Sequence, residues 1–167
     1  MKNVEPGTQG AKEPNTAPEI SLRPAQPGDY DFAAALYLDS TKMLLTALGR
    51  WQERRVVARF QRGFKPEQTQ VICLGGIDIG WMQVSQSTDG FHLHQLHIVD
   101  RFRNRGIGTR LINALLDRAR ALGQPVALNV IRGNPAISLY SRLGFRVVGK
   151  DEEKLQMRWQ AARPKRG

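Results

Sequence analysis

The chain has 167 residues, 41% of them hydrophobic, with a formal net charge of +10 and a single cysteine. That length suits one domain with a sizeable core, and the composition argues against wholesale disorder. A lone Cys73 excludes an internal disulfide, and no apolar run approaches the roughly 20 residues that span a bilayer.

The excess of positive charge implies anionic partners: nucleic acid, a membrane surface or a polyphosphate ligand. A merely solvated basic surface fits it equally well. Met1–Ile20 lacks an apolar signal core, so the expected location is the cytoplasm, which a reduced Cys73 fits. Cys73 lies in an apolar, strand-like run and reads as a small buried hydrophobe.

Residues 1–18 are rich in Pro, Gly, Thr, Asn and Glu and read as a disordered tail. A domain over 19–161 and a short basic tail at 162–167 follow. Ile20–Arg23 predicts a first strand, ended by Pro24. Asp29 is the expected N-cap of a helix through Phe32, Leu36, Met43 and Leu44, broken at Gly49. A second helix is expected over Gln52–Phe64, with Val56, Val57 and Phe60 inward. Arg50, Arg54, Arg55, Arg59 and Arg62 would mostly face solvent. Thr69–Leu74 and Ile77–Ser85 read as strands joined at Gly75-Gly76, a strong hairpin signal. Phe91–Val99 is a long strand. A helix then carries Ile107, Leu111, Ile112, Leu115, Leu116, Ala119 and Leu122 on one face. Val126–Val130 is a strand. Asn134 caps a short helix that opens at Pro135 and ends at Gly144. Phe145–Gly149 and Leu155–Trp159 are the last strands. The order predicts an α/β (α+β) fold, a mixed sheet with helices against it.

The most informative stretch is Arg103-Asn104-Arg105-Gly106-Ile107-Gly108-Thr109, between a strand and a helix. The first N–H groups of a helix have no internal partner, and the helix dipole favours an anion there. Glycines let a phosphate approach the backbone. A dinucleotide fingerprint would need a glycine at position 111, which is Leu, and the Lys-Ser/Thr ending of a P-loop is absent.

A second segment sharpens this. Asn134, Leu139, Tyr140, Gly144 and Phe145 follow after one further strand. Together the two segments resemble the GNAT superfamily of N-acetyltransferases. Its coenzyme A loop reads Arg/Gln-x-x-Gly-x-Gly/Ala, matched by Arg103, Gly106 and Gly108. Its later segment runs from an asparagine through Leu-Tyr to Gly-Phe. Here Ala136 falls one place early counted from Asn134, leaving Ile137 where a small residue is usual. The resemblance covers roughly Ile20 to Trp159. It implies the GNAT fold, with acetyl-CoA in a V-shaped opening between Phe91–Val99 and Val126–Val130. The backbone of Arg103, Asn104, Arg105, Gly106, Ile107, Gly108 and Thr109 would hold the pyrophosphate, with the guanidiniums of Arg103, Arg105 and Arg110 adding positive potential. Pantetheine would pair along the strand near Ile98, and Asn134 and Tyr140 would lie near the thioester.

By the same resemblance Tyr140 is the general acid that protonates the departing thiolate. A tyrosine at pKa about 10 facing a thiol at about 8.5 makes this uphill by roughly 2 kcal/mol. Simple packing beneath the last strands is the other reading of Tyr140. Many relatives place a glutamate on the strand before the loop to deprotonate the amine. This chain has His92, Leu93, His94, Gln95, Leu96 and His97 instead. Strand alternation puts His92 and His94 on one face and Gln95 and His97 on the other. His94 is the candidate base, since imidazole titrates near neutrality. Histidines without any chemistry fit as well, and a His92/His94 metal pair has no third ligand. The implied cosubstrate is acetyl-CoA, with no metal.

The acceptor pocket in the family is shaped by the first two helices, here about Tyr37 to Phe64, with Trp51 and Gln95 as candidate substrate contacts. Basic surroundings disfavour a polycation and favour an amine that carries a carboxylate or phosphate. The expected partners are acetyl-CoA and an amine of a small molecule or protein, with no membrane; a homodimer is compatible with the sequence. A non-catalytic acyl-CoA-binding module is the alternative reading. A nucleic-acid-binding domain is disfavoured, because no basic stretch carries interleaved aromatics.

Overall fold

The computed structural model describes residues 17–162, so nearly all of the two expected tails lies outside the described residues. The elements follow the expected order: β1 (Ile20–Pro24), α1 (Tyr30–Ala47), α2 (Glu53–Gly63), β2 (Thr69–Leu74), β3 (Ile77–Ser87), β4 (Gly90–Ile98), α3 (Ile107–Ala121), β5 (Val126–Ile131), α4 (Ala136–Arg142), β6 (Arg146–Lys150) and β7 (Lys154–Trp159). The strands form one seven-stranded sheet in the order β1-β2-β3-β4-β5-β7-β6. Only β4 and β5 run parallel, as a crossover through a helix requires; the other neighbours are antiparallel.

Helices cover both faces. On one, Ile107, Leu111, Ile112, Leu115, Leu116 and Ala119 of α3 pack on Phe91, Leu93, Val126, Leu128 and Met157. On the other, Ala33, Leu36, Tyr37 and Leu45 of α1 and Val56 and Phe60 of α2 close over Trp81. Trp81 touches Phe60 and Phe64 edge-on, with ring centroids 6.1 and 5.6 Å away. Aromatic rings offer large apolar area, so this smaller core is mostly a ring stack.

Three local expectations fail. Asp29 does not cap α1: its carboxylate accepts both guanidinium nitrogens of Arg23 at 2.8 Å and the Gln26 N–H at 2.7 Å. Arg23 and the turn before the helix claim the carboxylate first, and the pairing holds Asp29 below its ordinary pKa. Met43 and Leu122 are 80% and 59% exposed. Buried Thr41 and Leu45 show that the inward stripe of α1 runs one side of Met43, and α3 ends before Leu122. The hydroxyl of Thr41 donates back to the Tyr37 carbonyl at 2.7 Å, so its burial leaves no orphan.

Candidate active site

The β4–β5 ladder is short. It pairs Phe91 with Val126, His92 with Ala127 and Leu93 with Leu128, and stops. Strand β4 continues to Ile98, paired only with β3; β5 continues to Ile131, paired only with β7. The middle of the sheet therefore holds two facing strand segments without a common ladder, each with a row of backbone groups turned to the gap.

A β-bulge sits where the gap begins. Gln83 pairs with Gln95 but Val84 with Leu93, so His94 is the extra residue. The bulge overturns the expected alternation. Leu96 and Ile98 join the same core as Phe91 and Leu93, while His97 lies against Tyr37 and Trp81 on the opposite face. A one-residue insertion flips every later side chain. Gln95 and His97 thus share the face of His92, which pairs with Ser85, and of α1 and α2.

The turn after β4 has the shape of an anion site. Asn104 and Gly106 adopt left-handed backbone at φ +58 and +76. The backbone N–H groups from Asn104 to Thr109 have no acceptor among the described residues; the first satisfied one is Arg110, to the Gly106 carbonyl at 3.1 Å. A Cβ on Gly106 would meet nothing within 4 Å, so the turn faces open space. Successive unpaired donors at a helix start form a nest for phosphate oxygens, and a pyrophosphate fits it. Arg105 and Arg110 are exposed. Arg105 stacks its guanidinium 5.3 Å from the Phe102 ring. Arg103 is differently employed. Its Nε donates to the Ile98 carbonyl at 2.9 Å, one terminal nitrogen donates to the Ser40 hydroxyl at 3.2 Å, and the other lies 2.7 Å from the Asp100 carboxylate. It locks the end of β4 to the turn and to α1.

Tyr140 lies in α4, on the far side of the gap from β4, and is 6% exposed. Its ring packs 5.7 Å from Phe145, and burial pushes the phenol up to about 12. Its hydroxyl has no hydrogen-bond partner among the described residues, yet only Trp81 Nε1 is both sealed and unpartnered there. The phenol is thus protonated and undistracted. Asn134 caps α4 as expected: its carboxamide oxygen accepts the Ala136 N–H at 2.9 Å, and its amide nitrogen has no hydrogen bond among the described residues.

The histidines divide by environment. His94 is exposed, its Nε2 lies 2.7 Å from the Ser85 hydroxyl, and its ring is 4.3 Å from His92. Partial burial, then the neighbouring ring, lowers its pKa. His97 is pushed down to about 3 by burial, with the Arg103 charge adding to the effect. It is neutral at any ordinary pH, and its Nε2 meets the Gln95 carboxamide oxygen at 2.7 Å. No group of three or more His, Cys, Asp or Glu able to hold a metal occurs among the described residues.

Trp51 lies half-buried in the connection between α1 and α2, against the aromatic core, with the Lys42 ammonium 5.8 Å from its ring. The structure adds residues that pattern alone did not single out. Arg59, expected to face solvent, turns inward to the Glu153 carboxylate at 2.5 Å and against Tyr37. Arg50 pairs with Glu152. These contacts join α2 and its lead-in to the β6–β7 turn, across a cavity of about 310 Å³.

A family model described as "Acetyltransferase (GNAT) family" matches residues 34–145, which include the turn and α4. The chain belongs to the GNAT acetyltransferases. An L-methionine sulfoximine/L-methionine sulfone acetyltransferase of Pseudomonas aeruginosa is 42% identical over 59 residues, 34% of each chain. An uncharacterized N-acetyltransferase of Methanocaldococcus jannaschii is 30% identical over 100 residues, 58% of this chain and 44% of that one. The matches thus span between a third and a half of the length of these relatives. The PaiA N-acetyltransferase from Thermoplasma acidophilum, solved with coenzyme A, superimposes with a TM-score of 0.69 at 17% identity, over 86% of this chain and 99% of that one. The GNAT fold, a mixed α/β sheet, is therefore the fold of this chain.

Proposed function

We propose that this GNAT protein transfers an acetyl group from acetyl-CoA to a primary amine of a small-molecule or protein acceptor, in the cytoplasm. The observation that carries this reading is the run of unpaired N–H groups from Asn104 to Thr109 beside an open strand gap. The turn takes the pyrophosphate. The gap-facing edge of β4 near Ile98 takes the pantetheine amides as a further strand would. The free amide nitrogen of Asn134 lies at the thioester end.

Acetyl-CoA supplies an activated thioester carbonyl. The amine lone pair attacks that carbon, its C–S bond breaks, and the sulfur leaves with the electron pair. Tyr140 donates its proton to that sulfur, and the surplus proton on the new amide nitrogen passes to the phenolate, restoring Tyr140. A phenol near 12 facing a thiol at about 8.5 raises the uphill step to roughly 5 kcal/mol, above the 2 expected from ordinary values. The gap narrows because a thiolate forming in the same dry surroundings has its own pKa raised. The amine must arrive neutral. His94, at the bulge where the gap opens, is the base we assign, and its lowered pKa leaves it unprotonated at neutral pH.

Thiol release from acetyl-CoA over a panel of amines tests this reading. Turnover by the wild type and a fall of roughly 100-fold in kcat for Tyr140→Phe, with acetyl-CoA affinity unchanged, are expected. Unchanged turnover in Tyr140→Phe removes the acid role. An unchanged pH–rate profile in His94→Gln removes the base role. Acetyl-CoA binding without turnover of any amine would leave a non-catalytic binding module.

A further inference from the structure

We infer that the acceptor is a small amine that also carries a carboxylate, and that Arg55 is the residue that selects it. This rests on the acetyl transfer proposed above. Three guanidiniums, from Arg50, Arg55 and Arg59, line the cavity between the α1–α2 connection and the β6–β7 turn, against one carboxylate, Glu153. Two of the three are neutralised within the protein. Arg50 pairs with Glu152, and Arg59 with Glu153. Among the described residues Arg55 has no carboxylate partner and no hydrogen bond from its guanidinium. A free planar fork beside two occupied ones presents donors matched to a carboxylate.

The surroundings narrow the ligand. Asp151, Glu152 and Glu153 form the rim of the adjoining cavity, so a polyanion approaching from solvent meets carboxylates. A single carboxylate bears less of that repulsion on its way to the free fork. Inside the cavity a polycation gains no free carboxylate, because Glu153 is held by Arg59, and it meets the unpaired charge of Arg55. The cavity of about 310 Å³ is at the small end of ligand sites, which suits an amino-acid-sized molecule. Its wall reaches β4 through packed side chains. Arg59 touches Tyr37, whose ring is 5.6 Å from His97 on β4, and Ile131 and Val99, at the open ends of the two strands, pack on the same helices.

The test compares L-methionine, 4-aminobutyrate and L-lysine with their carboxamides, and with spermidine, in the thiol-release assay. Carboxylates should exceed their carboxamides in kcat/KM by about tenfold or more, mainly through KM, the scale of a charge-assisted hydrogen bond. Arg55→Ala should erase the preference, Arg55→Lys restore part of it, and Arg62→Ala, on an exposed turn of α2 outside the cavity, keep it. Equal use of acids and amides, preference for spermidine, or a preference that survives Arg55→Ala would overturn the inference while leaving acetyl transfer intact. If no amine is turned over, acetyl transfer fails, and calorimetry on the coenzyme A-bound protein decides the inference alone. N-acetyl-L-methionine binding better than its carboxamide in wild type, with no difference in Arg55→Ala, supports it; equal affinity or no binding of either overturns it.

Discussion

The turn after β4 and the cavity between α2 and the β6–β7 turn both concentrate positive charge, but from different materials. The turn works through main chain. Its donors are N–H groups set by left-handed Asn104 and Gly106, and one of its arginines, Arg103, is spent on holding the strand end. The cavity works through side chains brought together from far apart in sequence: Arg59 meets Glu153, 94 positions away, and Arg50 meets Glu152, 102 away. A main-chain site tolerates changes of side chain and resists changes of backbone. A side-chain site does the reverse, and its specificity can change without disturbing the donor site.

This contrast can be broken by experiment. The largest effect is expected at His97, on the sheet face that α1 and α2 cover. Its imidazole is near 3 when folded and near 6.5 when unfolded, so below pH 6.5 the unfolded chain binds the extra proton. Stability is then full above about pH 6.5 and is lost as pH falls towards 3, by roughly 3 kcal/mol at pH 4. Urea unfolding at pH 7 and pH 4 should show this loss in wild type and a smaller one in His97→Gln. Equal losses would show that His97 is not held neutral. On the donor side, Gly106→Val forces a β-branched residue to a left-handed φ, a strain of about 2 kcal/mol. Acetyl-CoA affinity by calorimetry should fall about 30-fold, and because no atom crowds that position the loss reports backbone shape. Next, Glu153→Gln removes the partner of Arg59 at a half-buried pair and should lower stability by about 1 kcal/mol in thermal unfolding. Smallest is Arg105→Ala. An exposed charge beside a main-chain site should weaken acetyl-CoA by about threefold, and less in high salt. An arginine effect larger than the glycine effect would reverse the assignment of materials.

The same difference explains what could be read from the residues alone. Element order, the Gly75-Gly76 hairpin, the Gly106 helix start and the Asn134 cap all depend on a few adjacent residues, and all appear in the structure. The face of Gln95 and His97 did not follow, because a bulge at His94 carries no residue signature of its own: neither glycine nor proline marks it. Asp29 looked like a cap because its rival, Arg23, lies outside the helix window. The Arg59–Glu153 contact depends on where β6 and β7 return beside β5, which no local pattern encodes. The arginines of α2 were visible in the sequence, but their pairing needed the strand order.

The short β4–β5 ladder has one more consequence. Among the described residues three residue pairs form the whole ladder between strands β1–β4 and strands β5–β7; the rest of the coupling is side-chain packing, mainly under α3, with the Arg50–Glu152 and Arg59–Glu153 pairs and the Gln124 hydrogen bonds beside it. Hydrogen exchange should therefore divide the sheet into two cooperative units with the seam at Leu93 and Leu128. An extended ligand arm bridging the gap would splice them, so that the protein unfolds in one sharper step when the gap is filled than when it is empty.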